Sequence, residues 1–336
     1  MKDPVIDRMP EHLREAVQRA LSSVFGGALV ESHQPMAGGA SGALAFLIGV
    51  SGRRCVLRVE ARRSRIRNPH QYTCMQIASD AGIAPPLRYA DAEAGVAIMD
   101  YVAEQPLHQY PGGAATLLRD LAALVEKLHA SSLFPAVGDF GQLIRRMLAH
   151  VQSGCASGLL DRHVEAFERV VAAYPWNPAA HVSCHNDPNP RNTLFDGNRL
   201  WLIDWETSYR NDPFVDVAIL AENHAPSAEQ AIGLLHAYLR REPQSAQIAR
   251  LRLMRQLVRL YYGGLMLSAI SNPPALMDCL AAPTPDEFRA MVASGKLTPA
   301  SVETMIVLGK MCLGAFATEL LSPGYEDALS AASETA

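Results

Sequence analysis

Asp187, Asn192 and Asp204 are three oxygen-bearing side chains set close together in the segment HNDPNPRNTLFDGNRLWLIDWE, which runs from His185 to Glu206. Their types and spacing suit transfer of a phosphoryl group. Such a step needs a carboxylate beside the acceptor hydroxyl and oxygen ligands for the magnesium that offsets phosphate charge. Asp187 meets the first need. Asn192, five residues on, can return to the same pocket and turn its amide oxygen to the metal. Asp204 ends the apolar run Leu200-Trp201-Leu202-Ile203, which reads as a buried strand delivering a carboxylate to its open end. Asp196-Gly197-Asn198 between two short apolar runs is a hairpin signal, so the loop of Asp187 and the carboxylate of Asp204 should sit on neighbouring strands. A lone His-x-Asp is usually a loop hydrogen bond, and a lone Asp204 would merely cap a turn. The coincidence of four residue types in a strand-turn-strand context is what points to chemistry.

The order H-x-D-x-x-x-x-N followed by an aspartate resembles the protein kinase pattern, with Asp204-Trp205-Glu206 where a DFG-like triplet would stand. HNDPNPRN, LIDWE and NDPFVDVA are more similar to the choline kinase and aminoglycoside phosphotransferase superfamily, with the nearer likeness to bacterial choline/ethanolamine kinase-like proteins. The likeness is strong over residues 182–223 and weaker from about residue 30 to the C-terminal helices. It implies a two-lobed, protein-kinase-like α+β fold: a small N-terminal antiparallel sheet lobe for the nucleotide (residues 1–101), and a larger, mostly helical C-terminal lobe for catalysis and acceptor binding (residues 102–336). It further implies ATP and Mg2+ as cofactors, Asp187 as the catalytic carboxylate, and Asn192 and Asp204 as metal ligands. His185 would brace the loop backbone and Asp216 would hold the catalytic loop by hydrogen bonds, both as structural support. Met99-Asp100-Tyr101-Val102 resembles the lobe hinge, where backbone groups at Asp100 and Val102 would meet adenine.

The elements that must position these residues are legible in part. Residues 10–24 have helical periodicity, and Gly26-Gly27 stops them. Strands follow near 29–35, 43–50 and 53–60, with Ser51-Gly52 as the turn between the last two. The small-residue loop 36–42, with Gly38, Gly39, Ser41 and Gly42, would let backbone amides approach a phosphate; it lacks the Gly-Lys-Ser/Thr of a Walker A loop. In the third strand a period of two puts Cys55, Leu57 and Val59 on one face and Val56, Arg58 and Glu60 on the other. Arg58 stands where kinases carry the lysine that pairs with nucleotide phosphates, and its planar fork suits phosphate oxygens. Arg62, Arg63, Arg65 and Arg67 read as a solvated loop. The resemblance has a gap: the helix at about 69–81 should carry a glutamate to pair with the strand cation, yet its one carboxylate is Asp80 at the far end. Gln71 or Gln76 would hydrogen-bond instead. Two more strands are expected after residues 82–86, the second at 95–101, then helices at 116–130, 141–152, 162–173, 228–240, 248–268 and 301–321, with 328–336 frayed.

A quaternary ammonium acceptor offers no N–H donors, so its site would need carboxylates and aromatic faces. Glu206, Trp205 and Tyr209 are the candidates, with Glu222, Tyr261 and Tyr262 behind them. The reading is therefore ATP- and Mg-dependent transfer to the hydroxyl of a small cationic alcohol. Within enzymes the alternatives are an aminoglycoside, thiamine, a methylthio-sugar or another hydroxyl acceptor; outside them, a nucleotide-binding pseudoenzyme. A hydrolase using His185 and Asp187 lacks further ligands at metal spacing.

At 336 residues and 49% hydrophobic content the chain can bury sizeable cores. A formal charge of -4 argues against a nucleic-acid partner. The six scattered cysteines form no zinc-type spacing and fit reduced thiols in a cytoplasmic setting. No membrane span or export signal is read in the sequence. The partners expected are a nucleotide and a small hydroxyl acceptor, and a homodimer is compatible with the chain.

Overall fold

The computed structural model describes residues 5–36, 43–60, 68–270, 278–299 and 301–333. The loop positions Gly38, Gly39, Ser41 and Gly42 lie outside them, as do Arg62, Arg63, Arg65 and Arg67. Cα packing divides the chain into two compact units, residues 1–137 with 182–210, and residues 138–181 with 211–336.

The first unit is built on a five-stranded antiparallel sheet in the order β1 (Ser32–Pro35), β2 (Leu44–Val50), β3 (Arg53–Val59), β5 (Val96–Asp100) and β4 (Leu87–Asp91). The β2–β3 connection is a two-residue turn in which Ser51 (φ 49°) and Gly52 (φ 74°) are both left-handed, as a type I′ hairpin requires. Alternation along the strands then decides the faces. Phe46, Ile48 and Val50 of β2 and Cys55, Leu57 and Val59 of β3 point to one side, where α1 (Glu11–Phe25) lays Leu13, Ala16, Val17, Ala20 and Leu21 on them. Val56 and Arg58 are left to the other side. That side carries the chemistry.

The same unit holds α2 (Gln71–Asp80), α3 (Gly113–His129) and three short strands, β6 (Val182–Cys184), β7 (Thr193–Phe195) and β8 (Leu200–Leu202). β7 and β8 form the hairpin foreseen from Asp-Gly, with Thr193 opposite Leu202. β6 pairs with β9 (Tyr209–Asn211), whose first two residues belong to this unit.

The second unit is helical: α4 (Phe140–Ser153), α5 (Asp161–Ala173), α6 (Phe214–His224), α7 (Ala228–Leu239), α8 (Ser245–Ser268), α9 (Pro285–Ala293), α10 (Val302–Leu320) and α11 (Tyr325–Ser333). α8 is its centre and touches α4, α6, α10 and α11. The fold class is the α+β, protein-kinase-like one that the sequence implies. Two segments differ from the sequence reading. α6 is buried at every position from Phe214 to Ala221, so it shows no amphipathic stripe to read. The stretch expected to fray from residue 328 is helical to Ser333, because Ala328, Leu329 and Ala332 give it a buried face. No single helix among the described residues is long and apolar enough to cross a membrane.

Candidate active site

Asp187 and Asn192 meet directly. The Asn192 side-chain nitrogen donates to Asp187 Oδ2 and to the Asp187 carbonyl, each at 2.9 Å, and Asn189 Nδ2 donates to Asp187 Oδ1 at 2.8 Å. Both carboxylate oxygens are thus oriented by amides. The Asn192 NH2 is engaged by this, which leaves the amide oxygen as its outward group.

Asp204 is tied to the same place through the backbone. The β7–β8 ladder continues one step past its strand ends, Ile203 N–H donating to the Asn192 carbonyl at 2.9 Å. His185 Nε2 lies 2.9 Å from the Ile203 carbonyl, an atom that only accepts, so Nε2 is the protonated nitrogen. The Ile203 peptide is therefore held at both ends, and the next residue, Asp204, is presented in the left-handed region with φ 66°. A non-glycine residue there is under backbone strain of about 1–3 kcal/mol that the surroundings must offset. Asn186 (φ 61°) shares that conformation and donates to the carbonyls of Thr207 and Tyr209 at 3.0 and 3.3 Å. Ser208 Oγ donates to the His185 carbonyl at 3.0 Å. His185 and Asn186 are in this way stitched to Ile203 and to residues 207–209 as one piece.

Arg58 reaches this piece from β3. Its Nη1 lies 3.2 Å from Glu60 Oε1, and its Nη2 lies 3.9 Å from Asp204 Oδ1 and 3.7 Å from Glu206 Oε2. Burial opposes the guanidinium charge, but Tyr72, Asp204, Glu60 and Glu206 more than offset it, so the Arg58 pKa lies above its ordinary value. The gap noted in α2 has a structural answer. Gln71 donates to Glu60 Oε1 and the Tyr72 hydroxyl does so at 2.9 Å, while Gln76 turns away to Asp80 at 2.8 Å.

A cavity of 330 Å³ opens between the sheet face and this piece; Ala45, Val56, Met99, Leu194 and Ile203 form its apolar walls, and Arg58 and Asp204 its polar end. That volume is in the range of small-ligand sites. Asp100, Tyr101 and Val102 line one edge. The Asp100 side chain itself is taken by Arg88 at 2.8 Å, and the Tyr101 N–H by the Arg54 carbonyl at 3.1 Å.

The acceptor candidates fare differently. Glu206 faces Arg58. Trp205 is buried, 4.6 Å from the His185 ring and edge-on to Phe134, and Tyr209 is buried in β9. Glu222, in the second unit, is bound by Arg255 at 2.6 Å and Arg259 at 2.8 Å, and Tyr261 is buried against Phe140. Asp216 is fully buried in the first turn of α6. Glu60, Asn189, Asn186 and Asn68 are the site residues that sequence reasoning gave no role. Only Glu60 carried a signal, since the period of two placed it on the face of Arg58.

An apolar slot beneath an antiparallel sheet, with Arg58 and Asp204 at its polar end and the Asp187–Asn192 pair tied to the Asp204 loop through the backbone, fits a small-molecule kinase of the protein-kinase-like class. The chain belongs to the phosphotransferase enzyme family (APH), whose model matches residues 32–252. It is 28% identical over 203 residues to the protein LicA of Haemophilus influenzae strain Rd, a match covering 57% of this chain and 74% of LicA; of a second LicA from that species it spans 58%. Among solved structures, a choline/ethanolamine kinase family protein from Mesorhizobium loti superposes with a TM-score of 0.70 at 20% identity, over 96% of this chain and 99% of that one. The choline kinase LicA from Streptococcus pneumoniae gives 0.62 at 16% identity, over 90% and 98%. A spectinomycin phosphotransferase in complex with ADP and spectinomycin gives 0.53 at 11%, over 88% and 98%.

Proposed function

We propose that this protein transfers the γ-phosphoryl group of ATP, with magnesium, to the hydroxyl of a small cationic alcohol of the choline or ethanolamine kind. The observation that carries the reading is the union of Asp187, Asn192 and Asp204 through one side-chain bond and one ladder bond. In this division of labour residues 1–101 serve the nucleotide and residues 102–336 serve catalysis and the acceptor.

Asp187 accepts the proton of the acceptor hydroxyl on an oxygen whose direction Asn189 and Asn192 fix. Arg58 takes phosphate oxygens, exchanging its longer contacts to Asp204 and Glu206 for them. The backbone of residues 100–102 receives adenine, and the loop with Gly38, Gly39, Ser41 and Gly42 is assigned to the phosphates. The residues present fit a magnesium ion: Asp204 Oδ1 is buried with no hydrogen-bond partner, and Asn192 presents an amide oxygen. Bound there, the ion supplies charge neutralisation for the transferring group. Asn192 and Asp204 would hold it, His185 and Asp216 steady the frame, and Glu206, Trp205 and Tyr209 stand at the acceptor end.

The choice of acceptor leans on relatives named choline or ethanolamine kinases. A coupled ADP-release assay over choline, ethanolamine, thiamine, a methylthio-sugar and aminoglycosides tests it. Asp187→Asn should lower turnover on the preferred acceptor by about 10²–10⁴-fold, the usual worth of a general base, while Mg-ATP binding survives. Unchanged turnover would remove Asp187 from the role. Nucleotide binding in a thermal-shift measurement, with no turnover across the panel, would favour a pseudoenzyme instead.

A further inference from the structure

Arg58 has three carboxylates around it, and they are not equivalent. Glu206 and Asp204 stand at 3.7 and 3.9 Å, beyond hydrogen-bond reach, whereas Glu60 stands at 3.2 Å from a different guanidinium nitrogen. Glu60 is itself gripped. The Tyr72 hydroxyl and the Gln71 amide, successive residues in the first turn of α2, both donate to its Oε1. Arg58 and Glu60 keep only 12% and 9% of their side-chain surface exposed, so this ion pair is little screened by solvent.

α2 is in turn fastened to the loop that carries Asp204. The Asn68 N–H donates to the Glu206 carbonyl at 3.1 Å, the Asn68 side chain donates to the Ser208 carbonyl, and Cys74 Sγ donates to that carbonyl at 3.3 Å. One end of α2 therefore grips the strand acid and the loop after Asp204 together. Gln71 and Tyr72 set Glu60; Asn68 and Cys74 set residues 206–208.

We propose that Glu60 is the positioning residue of the phosphate-binding Arg58, with Tyr72 and Gln71 holding it and Asp204 and Glu206 as the provisional counterions that phosphate replaces. The proposal rests on the phosphotransfer reading above. The geometry gives it a definite logic. A guanidinium fork has two faces to its charge, and fixing Nη1 on Glu60 aims Nη2 at the polar end of the cavity. Without that anchor Arg58 would swing toward the remaining two acids, and the nucleotide would have to pull it back.

The test is nucleotide binding first, since it needs no knowledge of the acceptor. Glu60→Gln keeps the shape and an oxygen for Tyr72 but removes the charge. It should weaken Mg-ATP binding, read by isothermal titration calorimetry, about tenfold, the loss typical of one charged hydrogen bond. In the ADP-release assay with choline, KM for ATP should rise and kcat fall while KM for choline stays within twofold. Glu60→Asp should recover part of the loss. Tyr72→Phe, which leaves the ion pair in place, should move the same quantities in the same direction by a smaller factor and covers the case in which Glu60→Gln does not fold. Wild-type ATP affinity in Glu60→Gln, or in Tyr72→Phe should that be the variant that folds, overturns the proposal and leaves the phosphotransfer reading standing. A wild-type protein that binds no nucleotide overturns both.

Discussion

Asp204 combines a left-handed backbone (φ 66°) with a buried, unbonded carboxylate oxygen, and each feature alone would be costly. Strain and desolvation at one residue are tolerated when the group has work to do with a ligand. Asparagine tolerates the same backbone region, so Asp204→Asn isolates the charge from the conformation. That variant should fold with a melting temperature within about 3 °C of the parent, since a conservative surface-of-cavity change is worth within about 0.5 kcal/mol. Its magnesium requirement for ATP binding should rise about tenfold or more, measured by titrating the metal at fixed nucleotide. A magnesium requirement equal to the parent's would take Asp204 out of the metal site. At this scale the sequence was informative where function fixes residue types. The spacing of His185, Asp187, Asn192 and Asp204 survives folding unchanged because two short strands and a turn join them. It was silent on Asn68, a buried asparagine whose worth depends on carbonyls of residues about 140 positions away.

The hairpin β7–β8 and the helix α2 do the positioning at the next scale. Asp196-Gly197-Asn198 announces the hairpin: Asp196 Oδ1 accepts from the Asn198 and Arg199 N–H groups, and its Oδ2 accepts from Trp201 Nε1 at 2.8 Å. Period-two alternation in β3 announces which face Arg58 and Glu60 share. α2 announces much less, because what it holds is fixed by tertiary contact rather than by its own pattern. Gln71, Tyr72, Cys74 and Met75 are all buried, so the helix has no plain polar face. The resemblance asks α2 for an acid, and the structure instead gives it donors that hold an acid supplied by the strand. Asn68→Ala tests this element. It leaves the Ser208 carbonyl with Cys74 Sγ as its remaining side-chain donor and the His70 N–H without its side-chain acceptor, which should cost about 1–3 kcal/mol in urea unfolding. Turnover should fall by a larger factor than the stability loss accounts for at saturating folded fraction, because residues 206–208 lose one of their ties to the helix, keeping the Asn68 N–H and Cys74 bonds. Full activity per folded molecule would show that the tie does not matter to the site.

Across the whole chain the two units are stabilised by different means. The first rests on α1 laid over the apolar face of the sheet. The second gathers helices around α8 and sets partly buried ion pairs among them: Asp212 with Arg250 at 2.6 Å, Arg252 with Glu319 at 2.7 Å, and Glu222 shared by Arg255 and Arg259. Arginine stays charged at any working pH, so these pairs respond to acid only through their carboxylates. His163 responds sooner. It is 5% exposed, its ring is stacked on Phe316 at 5.7 Å, and its Nε2 lies 3.2 Å from the Leu313 carbonyl. Burial pushes its pKa below the ordinary histidine value, against a smaller opposing pull from that carbonyl. The unfolded chain therefore takes up a proton at about pH 6.5 that the folded chain refuses. Stability is full above that pH and drains as the pH falls below it, levelling off only when the folded pKa is passed. His224 in α6, also depressed by burial, adds to the same slope. The urea midpoint should thus be lower at pH 5.5 than at pH 7.5. In His163→Phe, which keeps a ring against Phe316 but carries no titrating group, the difference between the two pH values should shrink. An undiminished difference would place the acid sensitivity elsewhere in the chain.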